Sequence, residues 1–252
     1  MKQLLITMLL AVTGFSTQAQ KSETRKSEDF TALEVQNGIE VIFSQSTSTG
    51  LKVETDDNLE NIVTEYKRGV LKVYMKENNK KIIQGHAKVY VSAKNVTDFK
   101  VSTGSYIKIQ GKLVLNELTV KLNTGASFAG EAQCLNKCKI KAESGSMFRG
   151  IIKTTEFEAI VTGGASIKVT GNTDSSIVFC NSGSLLAGKF ISNNANVKTI
   201  NASTAFINTN KSITANTDNS SSITYFGEPA DVNLGENTYS IKRDNLKLAL
   251  NN

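Results

Sequence analysis

The chain has 252 residues, with 29 Lys plus Arg against 23 Asp plus Glu, one histidine, one proline, three cysteines and no tryptophan. The net charge of +6 is scattered, without the clustered basic residues and interleaved aromatics that nucleic-acid binding needs, and a lone histidine leaves no basis for a His-based triad or a zinc cluster. Eighteen glycines, together with many Ser, Thr and Asn, punctuate short apolar runs, which indicates an all-β chain rich in turns.

Residues 1–20 have the form of a secretory signal peptide. Lys2 supplies the positive start, Leu4 to Phe15 the apolar stretch, and Thr17-Gln18-Ala19 a small-residue cleavage site. The apolar run is shorter than the roughly 20 residues a membrane-spanning helix requires. No cysteine follows closely, so an N-terminal lipid anchor is not expected. The expected product is an exported mature chain of 21–252 with no membrane-spanning segment, destined for the periplasm, the cell surface or the medium.

Residues 30–95 read as N-terminal strands. Phe30, Leu33 and Val35 lead into the turn dipeptide Asn37-Gly38, and Ile39, Val41 and Phe43 then alternate with Glu40, Ile42 and Ser44. Further strands are expected at 51–53, 70–74 and 87–91. Helix-like spacing of Leu59, Ile62, Val63 and Tyr66 suggests a short helix or turn. The segment would form a β layer or cap over the first of the downstream repeats, because an exposed sheet edge invites pairing with other chains.

Over 96–227 a phrase returns: small polar residue, glycine, small residue, then a large apolar one. It reads TGSYI at 103–107, TGASF at 124–128, SGSMF at 144–148, GGASI at 163–167 and SGSLL at 182–186, with weaker copies at 202–206 and 219–223. Its second residues are Gly104, Gly125, Gly145, Gly164, Gly183, Ser203 and Ser220, at intervals of 21, 20, 19, 19, 20 and 17. A fixed period of this length marks a solenoid. Three positions on stand Ile107, Phe128, Phe148, Ile167, Leu186, Phe206 and Ile223. Three positions back stand Val101, Leu122, Ala142, Val161, Cys180 and Ile200, and five back Phe99, Val120, Ile140, Ala159 and Val178. Alternation within each repeat gives strands with one face inside.

A hairpin sandwich also alternates, but it does not require one residue type to recur at a fixed offset. The expected fold is therefore all-β: a single-stranded right-handed parallel β-helix, or β-solenoid, with about 20 residues per coil and an N-terminal β layer or cap. In this register Cys138 aligns with Leu118 and Phe157, and it lies two coils from Cys180, roughly 10 Å by coil spacing. A disulfide needs Cα atoms within about 7 Å. Reduced thiols are expected, although a Cys134–Cys138 pair is geometrically open. Pro229 closes the repeat, and 228–252 forms a C-terminal cap and tail, with a last strand near Tyr239-Ser240-Ile241.

Glu34-Val35-Gln36-Asn37-Gly38-Ile39-Glu40-Val41, followed by Phe43-Ser44-Gln45, resembles the opening motif of the head GIN domain family. The glycine phrase and Tyr225-Phe226-Gly227-Glu228-Pro229 are similar to that family too. The resemblance covers nearly all of the mature chain. It departs where Gly-Ile-Glu replaces Gly-Ile-Asn and where the last two copies lose glycine. The family's description, an autotransporter adhesin head, implies adhesion and brings no catalytic residues.

The residues themselves offer little chemistry. His86 reads as an exposed loop residue, Asp56-Asp57 as a solvated turn that could touch a cation, and the glycines as corners. Polysaccharide lyases and hydrolases need paired carboxylates, or carboxylates holding calcium beside a base. The acids here are Glu143, Glu156, Glu158 and Asp174, near Lys141, Arg149, Lys153 and Lys168, and they are scattered singly. Two positions before each marker runs a polar line of Ser102, Asn123, Glu143, Thr162, Asn181, Asn201 and Asp218. Asn193, Asn194, Asn196, Asn208 and Asn210 add to it. These form either amide ladders that satisfy the backbone or a platform for a glycan. No catalytic, cofactor, metal or specific ligand-binding residue is assigned. The expected function is a non-enzymatic adhesin or binding module for a glycan or surface protein. The alternatives are a self-assembling homo-oligomer and a polysaccharide-cleaving enzyme.

Overall fold

Alternation of apolar and polar residues produces strands almost throughout. A computed structural model describes residues 21–78, 81–82 and 87–244. The expected signal peptide, His86 and most of the C-terminal tail lie outside the described residues. About 71% of the chain is strand, wound into a β-solenoid of about eight turns with coils roughly 19 residues apart. The N-terminal strands are β1 (Lys21–Thr24), β2 (Ala32–Gln36), β3 (Glu40–Gln45), β4 (Gly50–Thr55), β5 (Ile62–Lys67), β6 (Val70–Met75), β7 (Glu77–Asn78), β8 (Lys81–Ile82), β9 (Ala87–Ala93) and β10 (Asp98–Val101). The coils are β11 (Tyr106–Leu122), β12 (Ser127–Ala142), β13 (Met147–Thr162), β14 (Ser166–Asn181), β15 (Ser184–Ile200) and β16 (Thr204–Thr217). A last partial winding is β17 (Ser222–Phe226), β18 (Asp231–Leu234) and β19 (Ile241–Arg243).

Successive coils pair in parallel, β11 through β16, so equivalent residues stack. One internal column runs Val89, Val41, Ile107, Phe128, Phe148, Ile167, Leu185, Ala205, Ile223 and Ile241. Every member is buried, each large one contributing roughly 1.5–3 kcal/mol. A second column runs Leu71, Leu33, Phe99, Val120, Ile140, Ala159, Val178, Val197 and Ala215. Aromatic rings bridge the columns: Phe99 lies 5.2 Å from Phe43 and 5.5 Å from Phe128, which stacks on Phe148 at 5.5 Å.

Two late coils correct the expected register. Leu185 and Ala205, not Leu186 and Phe206, enter the column, and Thr199 replaces Ile200 in the column of Val161 and Cys180. The corner explains the shift. Thr103-Gly104, Thr124-Gly125, Ser144-Gly145, Gly163-Gly164 and Asn201-Ala202 all carry two consecutive positive φ angles, the geometry of a type I′ turn. Behind them sit the buried Ser105, Ala126, Ser146, Ala165 and Ser203. At 182–186 the positive φ falls on Ser182 alone. Gly183 moves into the inner position, where a Cβ would lie 3.0 Å from the Val161 carbonyl oxygen. One residue of slip turns every following side chain over, so Leu186 is 41% exposed while Leu185 is fully buried.

Asn37-Gly38 is the first member of the same corner row. Both residues have positive φ, and the Gly38 amide donates to the Thr103 carbonyl at 2.9 Å. The expected cap is present. The sheet that begins with β3 and β9 continues through antiparallel β4 and β1, and that of β2 and β6 ends on antiparallel β5. A short 3₁₀ turn at Leu59–Asn61 precedes β5, so only the first part of 58–66 is turned and the rest is strand. A similar turn at Thr238–Ser240 precedes β19.

Candidate functional site

Each coil has three faces. The first follows the glycine corner, the second continues along the same strand, and the third leads back to the next corner. Between the second and third faces the strands bend where outward residues fall side by side, at Leu135-Asn136, Thr155-Glu156 and Asp174-Ser175. This bend is held from inside by a column of buried hydroxyls, Thr154, Thr173, Ser192 and Thr209, which lie in register. Thr173 Oγ1 donates to the Thr155 carbonyl at 2.9 Å and Thr209 Oγ1 to the Asn193 carbonyl at 3.1 Å. Buried carbonyls need such partners. The recurrence of Ser or Thr at these positions is present in the sequence, but the stronger glycine phrase masks it.

Outside the bend lies an open cleft of about 480 Å³. Gln133, Lys153, Asn172 and Ile191 reach it from the second face, and Leu135, Thr155, Asp174 and Asn193 from the bend. Asn193 Nδ2 donates to Asp174 Oδ1 at 3.0 Å, which fixes the carboxylate at the cleft wall. Asn194 and Asn208 turn instead to the backbone: Nδ2 of Asn208 donates to the Gly188 carbonyl at 3.1 Å. The later Asn residues therefore divide between ladder and cleft.

Of the scattered acids and bases, the fold brings Asp174 and Lys153 to one cleft. The others are engaged separately. Glu158 lies between Lys137 at 2.8 Å and Lys139 at 2.7 Å, and these hydrogen-bonded ammonium groups hold its carboxyl below the usual carboxylate range. Glu143 pairs with Lys141 at 3.0 Å. Glu156 sits exposed at the bend, and Arg149 and Lys168 point outward on the first face. Asp57 belongs to the turn before the 3₁₀ segment, where its Oδ2 accepts from Asn61 Nδ2 at 3.2 Å. Among the described residues no group of three or more His, Cys, Asp or Glu is placed to hold a metal.

The polar line beside the glycine corner is partly continuous. Asn201 Nδ2 donates to Asn181 Oδ1 at 2.8 Å. Asp218 accepts from the amides of Asn201 at 2.7 Å and Ser220 at 3.1 Å, and the Asn201 amide leads in lowering its pKa to about 2. Here Asp218 braces a corner that lacks glycine. All three thiols are free and buried, and burial pushes Cys180 up to about 12. No described helix is long and apolar enough to cross a membrane.

Solved structures share this fold. A putative adhesin from Parabacteroides merdae superposes with a TM-score of 0.79 at 18% identity, covering 90% of this chain and 96% of its own. A putative adhesin from Parabacteroides distasonis gives 0.80 at 18% identity, covering 90% and 97%. A structure described as a putative lipid binding protein from the same organism gives 0.70 at 19% identity, covering 90% and 97%. No curated protein matches the sequence. The family model described as "Putative auto-transporter adhesin, head GIN domain" matches residues 29–229, and the chain belongs to that family.

Proposed function

We propose that this chain is an exported, non-enzymatic adhesin-type binding module, acting in the periplasm or at the cell surface on a glycan or surface protein. The cleft at the second bend carries the reading. Its amides, Asp174 and Lys153 offer donors and acceptors, of which Asn193 and Asp174 are fixed by their mutual hydrogen bond, and Leu135 (62% exposed) and Ile191 (37%) offer apolar contact. A few oriented polar groups beside apolar surface is the make-up of a ligand site. The family description and the similarly described adhesin structures support the same reading, as does the expected signal peptide. Engagement of Glu158 and Glu143 by lysines favours binding over cleavage.

The test is retention on arrays of glycans and surface-protein fragments. Replacing Asn172 and Asn193 with Ala together should weaken the retained ligand about tenfold and leave folding intact. Failure of the wild type to retain any ligand, or indifference to the double variant, would overturn the cleft as the site.

A second reading, side-by-side self-assembly, is favoured by Ile160, Ile177 and Phe179, which face outward on neighbouring coils of the third face. Ile177 is 54% exposed. Light scattering should then report an oligomer that Ile177→Glu dissociates, and a monomeric wild type removes the reading.

A further inference from the structure

On the third face most lysines are neutralised: Lys100 by Glu34, Lys137 and Lys139 by Glu158, and Lys141 by Glu143. The first face differs. Lys108, Ala129, Arg149 and Lys168 stand in one outward column on consecutive coils, and all three cations are exposed. None has an ion pair among the described residues. The nearest acid along β12, Glu131, begins the second face, in the column of Ile151 and Thr170. Beside the cations runs a second outward column, Glu40, Tyr106, Ser127, Met147, Ser166 and Ser184, in which Glu40 is paired with Lys88 at 3.4 Å. Its three serine hydroxyls have no side-chain hydrogen bond within the described protein.

We propose that this first face binds a linear acidic polysaccharide laid along the solenoid axis. This rests on the reading of the chain as a binding module, but it uses a surface separate from the cleft. The physical case is charge complementarity in one dimension. Coils are about 4.8 Å apart, so the cations fall along roughly 15 Å of a straight line. An acidic polysaccharide presents carboxylates at regular intervals along an extended chain, with hydroxyls between them. The guanidinium of Arg149 can hold a carboxylate through two parallel hydrogen bonds, Lys108 and Lys168 supply flanking point charges, and the serine column meets sugar hydroxyls. The flat sheet needs little rearrangement to bind. A bilayer surface is the less suitable occupant: Met147, Ile151 and Leu186 are exposed beside the cations, but Ser127, Ser166 and Thr170 interrupt them, so no broad apolar face of the kind that enters lipid is formed.

The probe is immobilised polygalacturonate at low salt, with neutral dextran and phosphatidylglycerol vesicles in parallel. The wild type should bind polygalacturonate, release it as salt rises and ignore dextran. The triple variant K108Q/R149Q/K168Q should lose about tenfold in affinity. A control with the same loss of charge elsewhere, K121Q/K198Q/K211Q, should bind as the wild type, and so should the cleft double variant. Circular dichroism confirms that each variant is folded. The proposal is overturned if the wild type does not bind polygalacturonate, if both triple variants lose affinity equally, or if vesicles are bound and polygalacturonate is not. Loss caused by the cleft variant alone would also overturn it and would assign acidic glycans to the cleft instead.

Discussion

Leu185 and Leu186 are adjacent, chemically identical and placed oppositely. Leu185 sits in the internal column and Leu186 faces outward at 41% exposure. Truncating the first to Ala should cost about 2–5 kcal/mol, the range for buried Leu, and truncating the second less than about 1 kcal/mol. Phe148→Ala, at the centre of the column, should cost about 3–5 kcal/mol, whereas Asp174→Asn should barely move the melting point. Denaturant titration of the four variants checks all of these, and equal losses at 185 and 186 would contradict the register. Phe206 follows the same logic: Ala205 takes the inner place, and Phe206 lies half-buried on the outside at 6.5 Å from Phe226.

At the level of elements, corners and ladders carry the electrostatics. Asp218 titrates near 2 in the fold against an ordinary 3.8, and Glu158 is also depressed. Burial raises Glu34, but Lys100 and Lys72 outweigh it and the net shift is downward. Groups depressed in the folded state stabilise fully above their unfolded pKa, and that stability is lost as pH falls through the folded value. The melting point should therefore be flat from neutrality to about pH 5 and drop between about pH 4 and 2. Asp218→Asn should lower it at pH 7, shrink the acid drop and converge with the wild type only below about pH 2. An unaltered acid limb would show that the Asn201 corner does not depend on the carboxylate.

The glycine phrase made these corners legible, because two consecutive positive φ angles select glycine and small polar residues. The same signal failed at 182–186 and 202–206, where two apolar residues in a row fit either register and the position of the corner, at Ser182 in one copy and Asn201-Ala202 in the other, decides. Asn37-Gly38 was legible as a turn but not as the start of the row, since the strands of the cap interrupt the period. The cleft was hidden for another reason. Lys153, Asp174 and Asn193 occupy two columns on three coils, and nothing local in the chain joins them.

For the whole molecule, stacking makes a rigid rod with ordered faces, and both proposed binding surfaces depend on that order. The N-terminal end is closed by antiparallel strands and the C-terminal end by short pieces paired to β16 and β17, the protection that open solenoid ends require. Lys108 and Thr224 are outward residues of one column, six coil steps apart. Nitroxide labels at Lys108→Cys and Thr224→Cys, read by pulsed dipolar spectroscopy with the buried native thiols unlabelled, measure the rise directly. Stacked coils give a narrow distribution centred at about 29 Å, allowing for the label tethers. A centre below about 20 Å, or a broad spread, would mean that equivalent residues of successive repeats do not lie one above another.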